Sequence, residues 1–220
     1  MMPLLNRFAV RWVLVFLIGA ALVAGCYRYL DVPLARWAYR HQLRQYGLFH
    51  GLQALADGLV LLAPVALLAV GGRWLRGRTT LLDRVALLAA GSVLAVSLLK
   101  YPLKWAFGRT WPATFYQNNP SLLHDGVYGF HPFQGGVAYG AFPSGHAAVA
   151  AAVATVLWVY YPRYRLLAVG LWLAVSVGLL GAYYHFASDV LAGTLLGVFV
   201  ASLVRRFDVR ASEPRSPNSD

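Results

Sequence analysis

Cysteine, lysine and acidic side chains are all scarce in this 220-residue chain, and each shortage excludes something. The single cysteine, Cys26, rules out an intramolecular disulfide and any Cys-rich metal site. Only two lysines occur, Lys100 and Lys104, against seventeen arginines, and Asp and Glu together number eight. Charged residues make up 12% of the chain, half the ~25% typical of a soluble domain. Walker A, Rossmann-glycine and zinc-ligand spacings are missing, and no internal repeat is present. These absences leave little room for an ordinary cytosolic domain.

What is there is apolar. Hydrophobic residues account for 59% and the mean hydropathy is +0.56, so the chain reads as all-α and polytopic in a membrane. Apolar runs without acidic residues place about six spans at 8–27, 52–72, 84–103, 145–161, 165–184 and 187–204. The net charge of +11 would suggest nucleic acid in a soluble protein. Basic cytoplasmic loops explain it here, and no nucleic-acid partner is expected. Residues Val23-Ala24-Gly25-Cys26 resemble a lipoprotein cleavage box, but Tyr27-Arg28 continues it poorly, so an uncleaved first helix is expected.

Counting Arg and Lys in the loops gives twelve on the side of the N-terminus and seven on the other. That asymmetry predicts both termini in the cytoplasm, with 1–7 and 208–220 as flexible tails of a single domain. Residues 31–50 open on Asp31-Val32-Pro33 and space Arg36, Arg40 and Arg44 by four. They read either as a helix lying on the outer membrane surface or as a solvated loop face. Segment 106–143 is long, aromatic and rich in Gly and Pro, the profile of a functional loop. Gly193 and Gly197 have the spacing of close helix packing.

Ionisable groups inside such a chain are informative because they are few. They gather at three span ends on the predicted outer face: Lys104 to Pro112, Phe142 to His146, and His185 to Asp189. Ser144 precedes a long apolar helix and is a natural N-cap, so the N–H groups near Gly145 and His146 form an anion site. His185 and Asp189 are four apart and share a helical face. A carboxylate that orients one imidazole nitrogen leaves the other free as a nucleophile. A lysine, a helix N-terminus and two histidines make a sensible phosphoryl-transfer site.

These blocks resemble the type 2 phosphatidic acid phosphatases (PAP2), six-helix membrane enzymes with the signature K-x6-R-P, P-S-G-H and S-R-x5-H-x3-D. Residues 84–204 carry the resemblance: Pro143-Ser144-Gly145-His146 matches the middle block and His185-x3-Asp189 the end of the third. The resemblance implies a PAP2-like bundle in which His185 forms a phosphohistidine, Asp189 orients it and His146 protonates the leaving oxygen. Lys104, Ser144 and Gly145 would hold the phosphate, with no metal and no cofactor. Two positions depart from the family, since Trp111 and Leu179 stand where its arginines fall. Arg109 is the expected substitute, with Arg40, Arg44 and Lys100 as further cations within reach.

The implied activity is removal of phosphate from a lipid phosphate or diphosphate at the outer leaflet of a bacterial inner membrane. Phosphatidic acid, phosphatidylglycerol phosphate, a polyprenyl diphosphate and a lipid A-like glycolipid are the candidate substrates. A phosphotransferase, or a member that only binds or moves a phospholipid, are the alternatives. A serine-protease dyad of Ser144 and His185 is weak, because Phe142 stands where the rhomboid motif has glycine. His41, His50, His124 and His131 read as interfacial packing, His131 being the nearest to an exception. Asp57 reads equally as a capping carboxylate or a site residue.

Overall fold

The computed structural model describes residues 2–77 and 80–208, with side chains from residue 7 onward. Its order is α1 (Met2–Gly25), a π-helical turn (Cys26–Leu30), α2 (Asp31–Arg40), α3 (Gly47–Leu75) and α4 (Leu81–Phe107). After a long loop holding the four-residue α5 (Leu122–Asp125) come α6 (Gly145–Tyr160), α7 (Arg165–Gly181) and α8 (Ala187–Val204). No strand occurs among the described residues, and the all-α bundle expected from the sequence is what forms.

Five helical stretches are long and apolar enough to cross a membrane: Arg7–Arg40, Gly47–Leu75, Leu81–Phe107, Pro162–Gly181 and Ala187–Phe207. The remaining apolar helix, α6, has 16 residues. At 1.5 Å per residue it rises ~24 Å, short of the ~30 Å hydrocarbon layer. It is also the central helix, packed against α3, α4, α7 and α8. Ala147, Ala148, Ala150, Ala151 and Ala152 are all buried, and so small a surface lets four neighbours approach at once.

The tightest approach is between α6 and α8. A Cβ added to Gly193 would lie 2.3 Å from the Ser144 carbonyl oxygen, and one on Gly197 would lie 2.1 Å from that of Ala148. Only glycine permits this contact. The G-x-x-x-G spacing therefore does more than tighten the bundle. It fixes the start of α6 against the start of α8, where two of the sequence blocks lie.

The first helix departs from expectation. It does not stop near residue 27 but continues through the π turn into α2, as one helical stretch to Arg40. Pro33 has no N–H to give the carbonyl four residues back, and the backbone passes this point by widening a turn. Segment 31–50 is thus neither a separate surface helix nor a plain loop. Arg36 and Arg40 are exposed as expected, but Ala35 and Ala38 are buried, and Asp31, expected only to start a helix, is buried too. Arg44 lies beyond the helix, over the rings of Tyr183 and Tyr184.

Of the expected tails, Met1 and 209–220 fall outside the described residues, as do Arg78, Arg210 and Arg215 of the loop count. Met2–Arg7 belongs to α1, and the Asp208 carboxylate accepts from Arg84 Nε at 2.6 and 2.7 Å. Loop 108–144 is folded on the bundle. Asn119 Oδ1 accepts the N–H groups of Phe115 and Tyr116, and Arg109 pairs by backbone with Phe130 and Gly140.

Candidate active site

Three chain segments meet at one end of the bundle: the last turn of α4 with the residues after it, the first turn of α6, and the α7–α8 connection. They enclose a pocket of about 240 Å³ lined by Gln53, Lys100, Lys104, Trp111, Phe115, Gly145, His146, Leu179, Tyr184 and His185. Four of the seven residues expected in the site line it: Lys104, Gly145, His146 and His185. The other three lie behind its wall.

His185 sits between α7 and α8, 4% exposed, with its backbone N–H on the Leu179 carbonyl at 3.4 Å. Its Nδ1 lies 3.5 Å from Asp189 Oδ2, and its ring packs on Trp111 at 5.1 Å between centroids. Burial pulls its pKa down to about 4, against the opposing pull of Asp189, so the imidazole is neutral at neutral pH. A neutral ring with Nδ1 turned to a carboxylate presents Nε2 as the nucleophilic nitrogen.

Asp189 itself is fully buried in the first turn of α8. Its Oδ2 accepts the Phe186 N–H at 2.9 Å, and its Oδ1 lies 3.2 Å from Arg109 Nη1. Ser144 caps α6 by accepting the Ala147 N–H at 3.3 Å, while its own N–H donates to the Asp189 carbonyl at 3.0 Å. Ser144 is fully buried, so its side chain stabilises the helix start while Gly145 and His146 line the pocket.

Lys104 donates to the Gly140 carbonyl and places its Nζ 5.3 Å from the Trp111 ring centre. Lys100, one turn earlier on α4, runs along the start of α6. A Cβ on Gly145 would meet its Cδ at 3.0 Å and its Nζ at 3.6 Å. The two lysines share a helix face, as i,i+4 spacing requires, and both line the pocket. His146 Nε2 lies 2.9 Å from Asp57 Oδ1, which brings in α3. Gln53, one turn before Asp57, also lines the pocket, and its Oε1 has no hydrogen-bond partner.

Arg109 is placed differently from the sequence expectation. Gly108 ends α4 in the left-handed region (φ 58), and the next residue turns inward rather than toward the pocket. The Arg109 guanidinium is completely buried, with Nη2 2.7 Å from Asp31 Oδ2 and Nη1 2.7 Å from Ser188 Oγ. Burial alone would lower its pKa, but Asp189 and Asp31 outweigh this and hold it above the ordinary value. Trp111 and Leu179, at the register of the family arginines, are buried pocket wall.

The other candidates separate cleanly. Arg44 reaches the Tyr184 hydroxyl at 3.5 Å on the rim, whereas exposed Arg36 and Arg40 are not pocket residues. His124 and Asp125 serve the Ser121-capped turn of α5, and His41 bonds the Trp37 carbonyl on α2. His50 bonds the Arg44 carbonyl and His131 packs on Tyr139. Asp57 was open in the sequence and joins the site through His146. Gln53, Phe115 and Tyr184 were missed, having only ordinary aromatic or amide character to mark them. Lys100 carried a signal: it is one of only two lysines in the chain and lies one turn before the other.

The PAP2 superfamily profile matches residues 85–213. A lipid A 1-phosphatase of Rhizobium johnstonii is 36% identical over 115 residues, 51% of this chain and 43% of that protein. One from Rhizobium etli is 37% identical over 109 residues, 48% of this chain and 43% of that protein. Each match therefore spans under half of the relative's length. A transmembrane PAP2-type phosphatidylglycerolphosphate phosphatase from Bacillus subtilis shares the fold, with a TM-score of 0.61 and 24% identity over 94% of this chain and 98% of that one.

Proposed function

Since the chain belongs to the PAP2 superfamily, we propose that it is an integral-membrane phosphatase that cleaves a lipid phosphate through a phosphohistidine on His185. The observation that carries this is the meeting of His185, His146, Lys100 and Lys104 around one pocket at the N-terminus of α6.

In the proposed reaction the phosphate enters between the two ammonium groups and the first N–H groups of α6. His185 Nε2 attacks phosphorus, and the bond from phosphorus to the lipid oxygen breaks. His146 gives that oxygen its proton, which an alkoxide needs in order to leave. Water then attacks the phosphohistidine, His146 takes the proton, the P–N bond breaks and inorganic phosphate departs. Asp189 holds His185 by Nδ1 throughout, and Asp57 holds His146 against the pocket wall.

Lys100 takes a place that the sequence reading gave to Arg109. Two lysines supply two positive charges to a phosphoryl group that carries about two negative ones. They do so as point charges, without the fork geometry of guanidinium. With that charge present, a purely lipid-binding role loses the reason that the missing arginines gave it. No step draws on a metal, and the reaction is proposed to run without one.

The outer-face orientation of the pocket rests on the distribution of arginine and lysine among the loops. On the relatives' precedent the first substrate class to test is a phosphorylated glycolipid related to lipid A. The deciding experiment measures phosphate release by the purified protein from lipid A, phosphatidylglycerol phosphate, phosphatidic acid and a polyprenyl diphosphate. An acid-labile phosphoenzyme should be trapped on the productive substrate and be missing in His185→Ala. Turnover of none of the four, or a phosphoenzyme that survives His185→Ala, refutes the assignment.

A further inference from the structure

The strongest charge cluster outside the pocket lies behind Asp189, on the side away from His185. Asp31, Arg109, Ser188 and Asp189 are each at most 1% exposed. Arg109 bridges two carboxylates, with Nη2 on Asp31 Oδ2 and Nη1 near Asp189 Oδ1. The Asp31 Oδ1 accepts the Ser188 N–H at 2.9 Å, and its Oδ2 accepts from the Ser188 hydroxyl and from Tyr128 at 3.1 Å. Rings of Tyr27, Tyr128, Phe130 and Phe186 surround the guanidinium, their centres 4.6–5.2 Å from Cζ.

Burying three charged side chains among aromatic rings is costly unless each is well met. Here nearly every polar atom of Asp31 is met, and the cluster ties α2 to the first turn of α8 and to the residue after α4. A purely mechanical tie has no need of charge. What the charge adds is control of Asp189, whose two oxygens face opposite ways, Oδ1 to Arg109 and Oδ2 to His185.

We propose that Asp31, Arg109 and Ser188 form a positioning unit that sets the orientation and acceptor strength of Asp189, and through it the nucleophilicity of His185. The proposal rests on the reading of His185 as the phosphate-accepting nucleophile. Asp31 competes with Asp189 for the one guanidinium, so Asp189 keeps more of its negative charge for the imidazole. Remove the Asp31 charge and Arg109 turns wholly to Asp189, which then supports His185 less. Remove Arg109 and two buried carboxylates face each other without a cation, so one of them takes up a proton. The charged and titratable groups that bear on His185 are Asp189 from α8, Lys100 and Lys104 from α4, and His146 from α6. Those that bear on Arg109 are Asp31, Asp189, Tyr27 and Tyr128.

The experiment uses full-length protein in detergent, with kcat, KM, the pH profile and the thermal midpoint measured together on the productive lipid phosphate. Asp31→Asn keeps the shape and removes the charge. It should lower kcat about tenfold or more, the scale set by partners one step removed from a reacting group. KM should stay unchanged, and the acid limb of kcat should move to lower pH. The double variant Asp31→Asn with Arg109→Met removes both charges of the pair and guards against a single variant that fails to fold. With no guanidinium beside its Oδ1, Asp189 loses the contact that orients it, so kcat should stay low whatever the thermal midpoint. Parental kcat and pH profile in folded Asp31→Asn, or parental kcat in the double variant, would overturn the proposal and leave the cluster a structural tie. His185→Ala is the separating control. If it still turns over lipid phosphate, the nucleophile reading has failed and this inference goes with it. If it is inactive while Asp31→Asn is normal, only the positioning unit is refuted.

Discussion

Adding one methyl group at Gly193 should disable the proposed reaction without altering any side chain that the reaction uses. The Cβ of Gly193→Ala would lie 2.3 Å from the Ser144 carbonyl oxygen and 3.2 Å from the Ala147 Cβ. A carbon and a carbonyl oxygen tolerate about 3.2 Å at closest, so α6 and α8 must separate there by about 1 Å. Both sides of the clash are backbone of the site. Gly193 is one turn from Asp189, and Ser144 holds the Asp189 carbonyl by its N–H. A shift of this size costs about 1–3 kcal/mol in packing. It also moves Asp189 and the α6 N-terminus relative to each other by a distance that lowers catalytic rates about a hundredfold.

The assay pairs kcat on the productive lipid phosphate with a thermal midpoint in detergent. Gly91→Ala is the control, because its added Cβ would meet only Val204 Cγ1, at 3.9 Å. Replacing a helical glycine where space allows is neutral or stabilising by up to about 1 kcal/mol. The expected result is a stable, active Gly91→Ala beside a less stable and nearly inactive Gly193→Ala. Parental activity and stability in Gly193→Ala would mean that the two helices are not in the described contact, and the account of how the site is held would fall.

Further outcomes are expected at the pocket itself. Lys100→Ala should lower kcat/KM by about tenfold or more, the loss of one charge-assisted bond of roughly 1.5–3 kcal/mol, and parental kcat/KM would remove Lys100 from the phosphate site. Because His185 is neutral down to about pH 4, the acid limb of kcat/KM that belongs to it should lie below pH 5, and a limb for His185 near 6.5 would contradict its burial. The same lowering means that the folded state binds fewer protons than the unfolded one, so stability should decline as pH falls from about 6.5 through about 4. Vanadate, which adopts the five-coordinate geometry of phosphoryl transfer, should inhibit while EDTA leaves activity unchanged, and loss of activity in EDTA would point to a metal. Single cysteines at Gln117 and Arg76 should label from opposite sides of intact cells, and labelling from one side would discard the proposed orientation.

The helices were legible in the sequence because a lipid-facing helix must be apolar along its whole length, and runs of that length are hard to mistake. The same rule misplaced the end of the first helix. Arg28 breaks the apolar run within Cys26–Leu30 and Pro33 suggested a fresh start, whereas the backbone carries on. Pro143 to His146 and His185 to Asp189 were legible because their chemistry is local: a cap three residues from its N–H, a carboxylate one turn from its imidazole. Arg109 was not. Its partner Asp31 is 78 residues away, and a sequence states that a charge exists without stating which charge it meets. Scarcity was the usable clue. Asp31 is one of eight acidic residues and stands at the end of a long apolar run, where an unpaired carboxylate is costly.

Those pairings also explain how a site without the family's two arginines retains the charge that phosphate requires. Three cations lie at the pocket end of α4 or just after it: Lys100, Lys104 and Arg109. Arg109 lies between Asp31 and Asp189, so its charge is spent inside the protein and is directed away from the pocket. Neither lysine has a carboxylate within ion-pair distance among the described residues, and both line the cavity. The uncompensated charge in the pocket is therefore carried by lysine, with Trp111 and Leu179 as apolar wall at the arginine positions. A guanidinium at either of those positions would bring a third positive charge to a dianion already matched by two. In the proposed reaction arginine, the better partner for a buried carboxylate, serves Asp189, and lysine serves the phosphate. This division of labour between the two kinds of cation lets the departures at Trp111 and Leu179 coexist with the proposed phosphoryl transfer.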